Sequence, residues 1–416
     1  MSVGDLVRRR GFRDLLVGQG VSALGDWMGT IAFMALALRL TGSPTAVGGI
    51  LTLRLLPAVI GGPLAARAVR TWDRRNTMLL MDVARGVLIA LVPLVRALWW
   101  IYVLAFLIEI ASIVFLPARD ASIPELVDEV DLPVANGLVL GSSYGTIPLG
   151  AAAFAVVAAL PHSSLFGRPF ALVFWIDAAT FVVSYFCIRR LTMLQRPAGA
   201  PVPDESVRFR EAFRIPLVRA VMPATAAVAL GLGALFSLGI VFVREVLDAT
   251  DAEFGVLIAL FGVGAVGGLA ALQMRRGHDP VSETRLGVAV IGLVVAVFSL
   301  AGSLALAFVG AAAFGAAAAF TLASGMGALQ AKLDGQHRVL AFAAFHVVIR
   351  IGLGVAAVAA GVAGELLGSV RWPVVGDLEP SRVVLLCSGV LILLTSAFVR
   401  EHAGPPAGTE PTEPMG

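Results

Sequence analysis

The chain is divided into long apolar runs, and these runs restrict its fold more than any other feature. A helix needs about 20 mainly apolar residues to cross the hydrocarbon core of a bilayer. The sequence predicts twelve such spans, at 12–40, 46–68, 76–95, 98–117, 137–160, 170–191, 217–243, 253–273, 284–301, 303–330, 339–367 and 382–399. We therefore expect an all-α membrane protein with twelve transmembrane helices.

The composition excludes an ordinary soluble protein. Hydrophobic residues make up 58% of the chain and charged residues only 14%, whereas soluble domains are about one quarter charged. The sequence pI near 9.3 would also suit a nucleic-acid-binding protein, but the arginines lie in loops between the apolar runs. That pattern indicates a lipid bilayer as the partner and argues against nucleic acid.

The arginine and lysine distribution predicts the orientation in the membrane. Cytoplasmic loops carry an excess of these residues, and here they concentrate at both ends of the chain and in the loops after the even-numbered runs. The opposite side holds only Arg39, Arg96, Arg168, Arg244, Arg371 and Arg382. We expect both termini in the cytoplasm.

The chain divides in the middle into two halves of six spans each. Residues 192–216 are polar and Pro-rich and predict a cytoplasmic linker between bundles at 1–191 and 217–402. Residues 403–416 lack apolar content and predict a disordered tail. Two repeated bundles suggest a site between them near the midplane, so one chain would hold a complete path and we expect a monomer.

Several short segments are shared with one family of transporters. They are Gly-Gln-Gly-Val-Ser-Ala-Leu-Gly-Asp-Trp (18–27), Arg-Leu-Leu-Pro (54–57), Gly-Gly-Pro-Leu-Ala-Ala (61–66), Trp-Asp-Arg-Arg (72–75), Pro-Ala-Arg-Asp-Ala-Ser-Ile-Pro (117–124) and Ile-Asp-Ala-Ala-Thr-Phe (176–181). By these segments the chain resembles the major facilitator superfamily, and within it bacterial exporters of the macrolide-efflux and enterobactin-exporter type. The resemblance implies two six-helix bundles in a bacterial plasma membrane and export of a small-molecule solute.

Two gating motifs of that family are altered in this sequence. The family has an Asp after the small-residue run of loop 2–3, where it helps to latch the cytoplasmic gate; this chain has Arg70, and Asp73 is a candidate replacement. The antiporter motif in the fifth span keeps its Pro but has Ile147 in place of a Gly. The resemblance assigns gating to Gly62, Arg70, Asp73, Arg74, Arg75, Gly145 and Pro148, although the loop arginines also serve as the orientation signal.

Two carboxylates near the centres of predicted spans are candidates for proton coupling. An ionisable side chain at membrane depth is costly and therefore a functional candidate. Asp26 lies in the first span and Glu109 in the fourth, and the resemblance places both helices along the central cavity. Either carboxylate is expected to carry a coupled proton; the alternative is a buried ion pair with Arg54 of the second span.

Three basic side chains are the remaining candidates within the spans. Arg54 is either a structural partner of the carboxylates or an anion ligand. His346 and Arg350 are four residues apart in the eleventh span and therefore share a helix face. They contact either substrate or a neighbouring helix.

Three further features favour structural explanations. The resemblance places Asp177 in a peripheral helix, where a structural role is expected, and Phe236 and Ser237 could serve either the cavity or helix packing. The pattern Gly-Val-Gly-Ala-Val-Gly at 262–267 matches a dinucleotide fingerprint but lies within a predicted helix. Close packing through small residues such as Gly264 and Gly268 explains it better.

The predicted function is secondary active transport driven by a proton gradient, without a bound cofactor. No phosphate-binding Gly-x-x-x-x-Gly-Lys-Ser/Thr motif is present, and no metal or nucleophile cluster within the spans indicates an enzyme. Efflux of an amphipathic solute by alternating access is the leading interpretation. Proton-symport uptake, lysolipid movement and a non-transporting sensor on the same fold are the alternatives, and the solute's charge is left open.

Overall fold

A computed structural model describes residues 3–60, 72–128, 131–160, 165, 167–192, 213–275, 278–333, 335–367, 370–372 and 376–399. Within these ranges the chain is mostly helical, as the apolar runs predict. The helices are α1 (Arg10–Thr41), α2 (Pro44–Ile60), α3 (Arg74–Leu91), α4 (Leu98–Leu126), α5 (Leu132–Tyr144 and Ile147–Ala159), α6 (Ala171–Arg189), α7 (Pro216–Val241), α8 (Asp251–Met274), α9 (Pro280–Ser299), α10 (Leu304–Lys332), α11 (Gly335–Leu367) and α12 (Pro380–Thr395).

Eleven helical segments of the described chain are long and apolar enough to cross a membrane. The helix outside this group is α2, which has 17 described residues and borders on residues 61–71. The end of the predicted span 46–68 therefore lies outside the described residues, as do most of the predicted linker and the tail at 403–416.

Some short elements were not predicted from the apolar runs. A six-residue helix, Val3–Arg8, precedes α1. Between α11 and α12, strands β1 (Val370–Trp372) and β2 (Gly376–Leu378) pair in antiparallel fashion. Short turns extend three of the long helices: the 3₁₀ turns Val92–Leu94 and Ser396–Phe398 and the π turn Phe242–Val246.

The polar residues between the apolar runs begin and end the helices. Gly42, with φ of 65°, ends α1 and donates its N–H to the Leu38 carbonyl oxygen, a conformation that favours glycine. Thr250 and Glu253 form a capping box at the start of α8. The Asp279 side chain caps α9. Local sequence chemistry therefore fixes where these helices begin and end.

The fifth predicted span, 137–160, differs from the helix observed. The helix begins earlier, at Leu132, and is interrupted at Gly145 and Thr146. Pro148 has no N–H to donate to the carbonyl oxygen four residues before it, which breaks the helical hydrogen-bond ladder. Apolar character alone does not reveal this break.

The helices form two bundles, α1–α6 and α7–α12, whose most extensive contacts with each other are two helix pairs. These pairs are α2 with α11 and α5 with α8. By their order in the chain, α2 and α5 of the first bundle correspond to α8 and α11 of the second. Exchanging the two bundles therefore converts the α2–α11 contact into the α5–α8 contact, as in transporters with repeated halves.

The contacts between the bundles lie towards one face of the molecule. Thr52 donates to the Gly354 carbonyl oxygen at 2.9 Å, and a Cβ atom added to Gly361 would lie 2.8 Å from the Thr45 Cα atom. Gly255 packs in the same way against Phe154. We call this the closed face: it contains the ends of α1, α5, α7 and α11 and the starts of α2 and α8, opposite the side where α1 begins.

Candidate functional site

Three charged side chains meet in the middle of the first bundle. Asp26, Arg54 and Glu109 lie near the middle of α1, α2 and α4, and all three are partly exposed. The positive charge of Arg54 acts on both carboxylates, although no direct ion pair with either acid is found among the described contacts. The Arg54 guanidinium lies 5.8 Å from the centre of the Phe33 ring. The two acids and Arg54 therefore form one electrostatic group.

One basic residue of the second bundle belongs to the same electrostatic group. The charge of Arg350, in α11, acts on Glu109 of the first bundle. His346 also lies in α11, but its side chain is outside the described residues. Arg350 therefore belongs to the same electrostatic group as Asp26, Arg54 and Glu109.

An ion pair in α3 was missed by the sequence reasoning. Asp82 and Arg85 are 1% and 2% exposed, and their side chains are 2.5 Å apart. The Arg85 guanidinium lies 4.1 Å from the Phe115 ring centre and 4.6 Å from that of Phe181. Its charge also acts on Asp26. The signal was an acid and a base three residues apart within the apolar run 76–95.

Asp177 of α6 joins this group rather than standing apart at the periphery. It is 1% exposed, and its carboxyl group lies against Gly25 and Gly29 of α1. The charges of Asp26, Arg54 and Arg85 all act on it. We call the seven residues the charged cluster: Asp26, Arg54, Asp82, Arg85, Glu109, Asp177 and Arg350.

The predicted gating residues at the start of α3 make contacts within the first bundle. The Asp73 carboxylate accepts a hydrogen bond from the Asn76 N–H at 2.8 Å and caps the helix. Arg74 pairs with Glu125 at the end of α4, and Arg75 donates to the Arg189 carbonyl oxygen at the end of α6. Gly62 and Arg70 lie outside the described residues.

Gly145 and Pro148 lie at the break in α5. The Gly145 N–H donates to the Gly141 carbonyl oxygen at 2.8 Å. Pro148 contacts the second bundle, since a Cβ atom added to Gly262 of α8 would lie 2.7 Å from the Pro148 Cβ atom. The break in the helix therefore coincides with a contact between the bundles.

Polar contacts hold the closed face together on both sides. Asp251, at the start of α8, pairs with Arg39 of α1 and with Arg244 after α7, the latter at 3.2 Å. Glu365 of α11 accepts hydrogen bonds from the Ser43 hydroxyl and the Thr45 N–H at the start of α2. From the sequence, Arg39 and Arg244 had contributed only to the predicted orientation, and Asp251 and Glu365 had no predicted role.

An apolar pocket lies within the second bundle, between α7, α8, α9 and α10. Its empty space, including its open mouth, is about 410 Å³. Gly239 lines it, and a Cβ atom added there would meet nothing within 4 Å. Its aromatic wall is formed by Phe236, Phe254, Phe261, Phe298 and Phe314. Ser237 faces elsewhere, because its hydroxyl donates to the Pro44 carbonyl oxygen at 3.3 Å.

One ion pair outside the membrane-spanning helices joins the chain start to the loop after α4. The Arg9 guanidinium donates to the Asp128 carboxylate at 2.5 Å. This hydrogen bond and the charge of Arg9 lower the pKa of Asp128 below its ordinary value. The contact joins the residue directly after the short helix Val3–Arg8 to this loop.

Two equivalent helical bundles around a charged, partly accessible centre define a secondary membrane transporter. The family model described as Major Facilitator Superfamily matches residues 15–301, and the chain belongs to this family. Two uncharacterized MFS-type transporters of Bacillus subtilis (strain 168) are similar in sequence. YfiS is 26% identical over 305 residues, covering 68% of this chain and 69% of YfiS. YvqJ is 21% identical over 409 residues, covering 95% and 94%.

Solved structures of other transporters share the fold. A bacterial homologue of the human lysosomal transporter Spinster, inward-facing and unoccupied, has a TM-score of 0.75 at 17% identity, covering 94% of this chain and 96% of that one. A bacterial homologue of the iron transporter ferroportin, inward-facing, has a TM-score of 0.69 at 15% identity, covering 96% and 98%. The nucleoside transporter NupG has a TM-score of 0.71 at 12% identity, covering 94% and 98%.

These comparisons confirm the class of function predicted from the sequence. The protein is a multi-pass membrane transporter of a small-molecule solute, and members of its family are transporters rather than enzymes. The bacterial relatives indicate a bacterial plasma membrane.

Proposed function

We propose that this protein exports an amphipathic small molecule in exchange for protons, by alternating access and without a bound cofactor. The charged cluster carries this proposal. Asp26 and Glu109 are partly exposed carboxylates at the middle of membrane-spanning helices, a position in which ionisable groups serve proton or solute binding. The charged cluster lies within one chain, which supports a monomer as the working unit.

The arrangement of the bundles supports a conformation open to the cytoplasm. The excess of Arg and Lys in the loops on the side of the termini favours that side as cytoplasmic. The closed face, where the two bundles are in contact, lies opposite that side. The Spinster and ferroportin homologues, which share this fold, are both described as inward-facing.

The two bundles offer different surfaces to a solute, which supports an amphipathic substrate. The first bundle presents the charges of Asp26, Arg54 and Glu109, while the second contains the pocket lined by phenylalanines. Binding sites commonly combine an apolar wall with a few polar groups that orient the ligand. The negative and positive charges of the cluster are nearly equal in number, so they favour neither a cationic nor an anionic solute. The experiment below therefore includes both.

The first test uses purified protein in liposomes with a pH-sensitive dye inside. Tetraphenylphosphonium, cholate, lysophosphatidylcholine and glucose are added in turn as a cation, an anion, a lysolipid and a sugar. We expect one amphipathic compound to drive proton movement and Asp26→Asn to reduce it at least tenfold. Asp248→Asn is the matched control, because Asp248 is exposed and its φ of 54° suits Asn.

Each outcome of this experiment points to one interpretation. Co-directional movement of solute and protons would replace export with uptake by symport. Movement of lysophosphatidylcholine between leaflets without proton movement would indicate lysolipid transport. No response to any compound would contradict proton-coupled export and favour a non-transporting role.

The apolar pocket is tested by filling it. Leu in place of Gly239 would project into the open space beside this residue, so we expect folding to be retained. If the pocket holds the apolar part of the solute, Gly239→Leu raises the solute KM at least fivefold with a smaller effect on maximal rate. An unchanged KM would show that the apolar part binds elsewhere.

A further inference from the structure

Asp177 is a buried carboxyl group with the Thr180 hydroxyl as its neighbouring hydrogen-bond donor. The residue is 1% exposed, and neither carboxyl oxygen has a hydrogen-bond partner among the described residues. The nearby Thr180 hydroxyl donates to the Asp177 backbone carbonyl oxygen, at 2.6 Å. Because a hydroxyl has only one proton to donate, this hydrogen bond leaves the carboxyl group held mainly by packing.

Two glycines of α1 leave room for this carboxyl group. A Cβ atom added to Gly25 would lie 2.5 Å from Asp177 Oδ1, and one added to Gly29 would overlap Asp177 Oδ2. The carboxyl group therefore occupies the space that larger side chains would fill at both positions. Asp26, which follows Gly25, is the neighbouring charge with the largest effect on Asp177.

Neither arginine whose charge acts on Asp177 forms an ion pair with it among the described residues. Arg85 pairs with Asp82 at 2.5 Å, and the charge of Arg54 acts on Asp26 and Glu109. A buried ionised carboxylate without a partner costs several kcal/mol, and more in a membrane interior. A neutral carboxyl group removes this cost, so the surroundings of Asp177 favour its protonated form.

We propose that Asp177 and Asp26 form a carboxyl pair that holds the coupled proton, with Asp177 protonated in the conformation described. This rests on the proposed function and specifies where the proton is bound. The charged cluster contains the acids Asp26, Asp82, Glu109 and Asp177 and the bases Arg54, Arg85 and Arg350. One bound proton makes this cluster electrically neutral.

The proton moves between water and the pair without any other chemistry. In this proposal Asp26, a partly exposed residue, takes a proton from water and passes it to the buried Asp177 carboxylate. One O–H bond forms as one breaks, and the negative charge moves to the other carboxyl group. Release follows the same steps in reverse, with Asp26 as the accessible member.

The first test measures the proton directly and does not depend on knowing the solute. Infrared difference spectra of wild-type protein in liposomes are compared with those of Asp177→Asn over a pH titration. We expect a protonated-carboxyl stretching band at neutral pH that is lost in Asp177→Asn and kept in Asp248→Asn. Absence of such a band in the wild type would overturn the proposal, whatever the transport result.

Stability separates Asp177 from the paired acid Asp82. Asn mimics a neutral carboxyl group, so Asp177→Asn should unfold at nearly the wild-type temperature. Asp82→Asn instead removes the negative charge that pairs with Arg85, so this variant should unfold at a lower temperature. A large loss of stability in Asp177→Asn alone would indicate a charged, structurally paired carboxylate and contradict the proposal.

The second test addresses coupling, with the compound that drives proton movement in the wild type. Asp177→Asn should lose solute-driven proton movement at least tenfold while keeping solute counterflow, in which no net proton is carried. Full proton movement in Asp177→Asn with loss in Asp26→Asn would assign coupling to Asp26 alone and overturn the pair. If the wild type moves no protons with any compound, the proposed export mechanism fails, and the infrared band still decides whether Asp177 binds a proton.

Discussion

At the residue scale, the first bundle is organised around charges that lie within apolar helices. Arg85 shows how one such charge is accommodated: its guanidinium pairs with Asp82 of the same helix and lies against Phe115 of α4 and Phe181 of α6. Aromatic rings attract a cation through their negative faces. Arg85 therefore links α3 to two neighbouring helices as well as balancing charge.

Replacing Arg85 should destabilise the first bundle. In Arg85→Leu the Asp82 carboxylate stays buried without its partner, and loss of one member of a buried pair typically costs about 3–5 kcal/mol. The measurement is thermal unfolding of the purified protein in detergent. The double variant Asp82→Leu, Arg85→Leu should recover at least half of the loss, because no unpaired charge remains; equal stability of the single and double variants would contradict this role.

At the element scale, small residues allow α8 and α10 to pack with their backbones in contact. Cβ atoms added to Gly264 and Gly268 would overlap the carbonyl oxygens of Ala312 and Ala316, and one added to Gly315 would overlap that of Phe261. This is the packing predicted for the glycine pattern at 262–267. The pattern is a helix interface, as expected where small residues let membrane helices approach closely.

A larger side chain at this interface should prevent correct folding. Gly268→Leu would place its Cβ atom on the backbone of α10, which no change of rotamer can relieve, and overpacking costs about 1–3 kcal/mol or more. We expect a lower unfolding temperature and less monodisperse protein by size-exclusion chromatography.

Gly267 supplies the matched control for this substitution. It is adjacent in sequence but exposed, and an added Cβ atom would meet nothing within 4 Å. Gly267→Leu should therefore behave like the wild type. Equal behaviour of the two variants would show that close packing of α8 on α10 does not limit stability.

At the scale of the whole molecule, the two bundles are held together at the closed face. Asp251 of the second bundle accepts hydrogen bonds from Arg39 of the first bundle and also pairs with Arg244. On the other side of the face, Glu365 accepts from Ser43 and Thr45. In the proposed alternating-access cycle these contacts break when the closed face opens, so we expect them to set the balance between the two conformations.

Loss of the Asp251 charge should shift this balance towards a conformation open at the closed face. A hydrogen bond to a charged group contributes about 1.5–3 kcal/mol, which corresponds to a change of roughly 10- to 150-fold in the ratio of the two states. In Asp251→Asn we expect a larger population at long distance between spin labels at Leu160 and Leu300. These exposed residues lie on different bundles.

The spin-label experiment needs a suitable background and control. The two free cysteines, Cys187 and Cys387, are first replaced by Ser. Asp248→Asn makes the same chemical change in the loop before α8 and should leave the distances unchanged. A distribution in Asp251→Asn identical to that of the wild type would show that this ion pair does not govern opening.

The fold could be predicted from the sequence because membrane insertion depends on local composition. Runs of about 20 apolar residues span the bilayer wherever they occur, and turn residues such as Gly42 and Asp279 mark the helix ends. The break in α5 at Gly145 was not predicted, because hydropathy does not register the missing N–H of Pro148. The candidate acids Asp26 and Glu109 were found because charge at membrane depth is rare.

The partners of these charges were decided only by the tertiary structure. Asp177 had been expected to serve structure alone, and its place beside Asp26 depends on how α6 rotates against the glycines of α1. Arg39 and Asp251 are separated by 212 positions, and no pattern in the sequence predicts that they form an ion pair. Hydropathy is a property of each segment by itself, whereas a binding or proton site depends on which helix faces meet, and that is set by packing between segments distant in the chain.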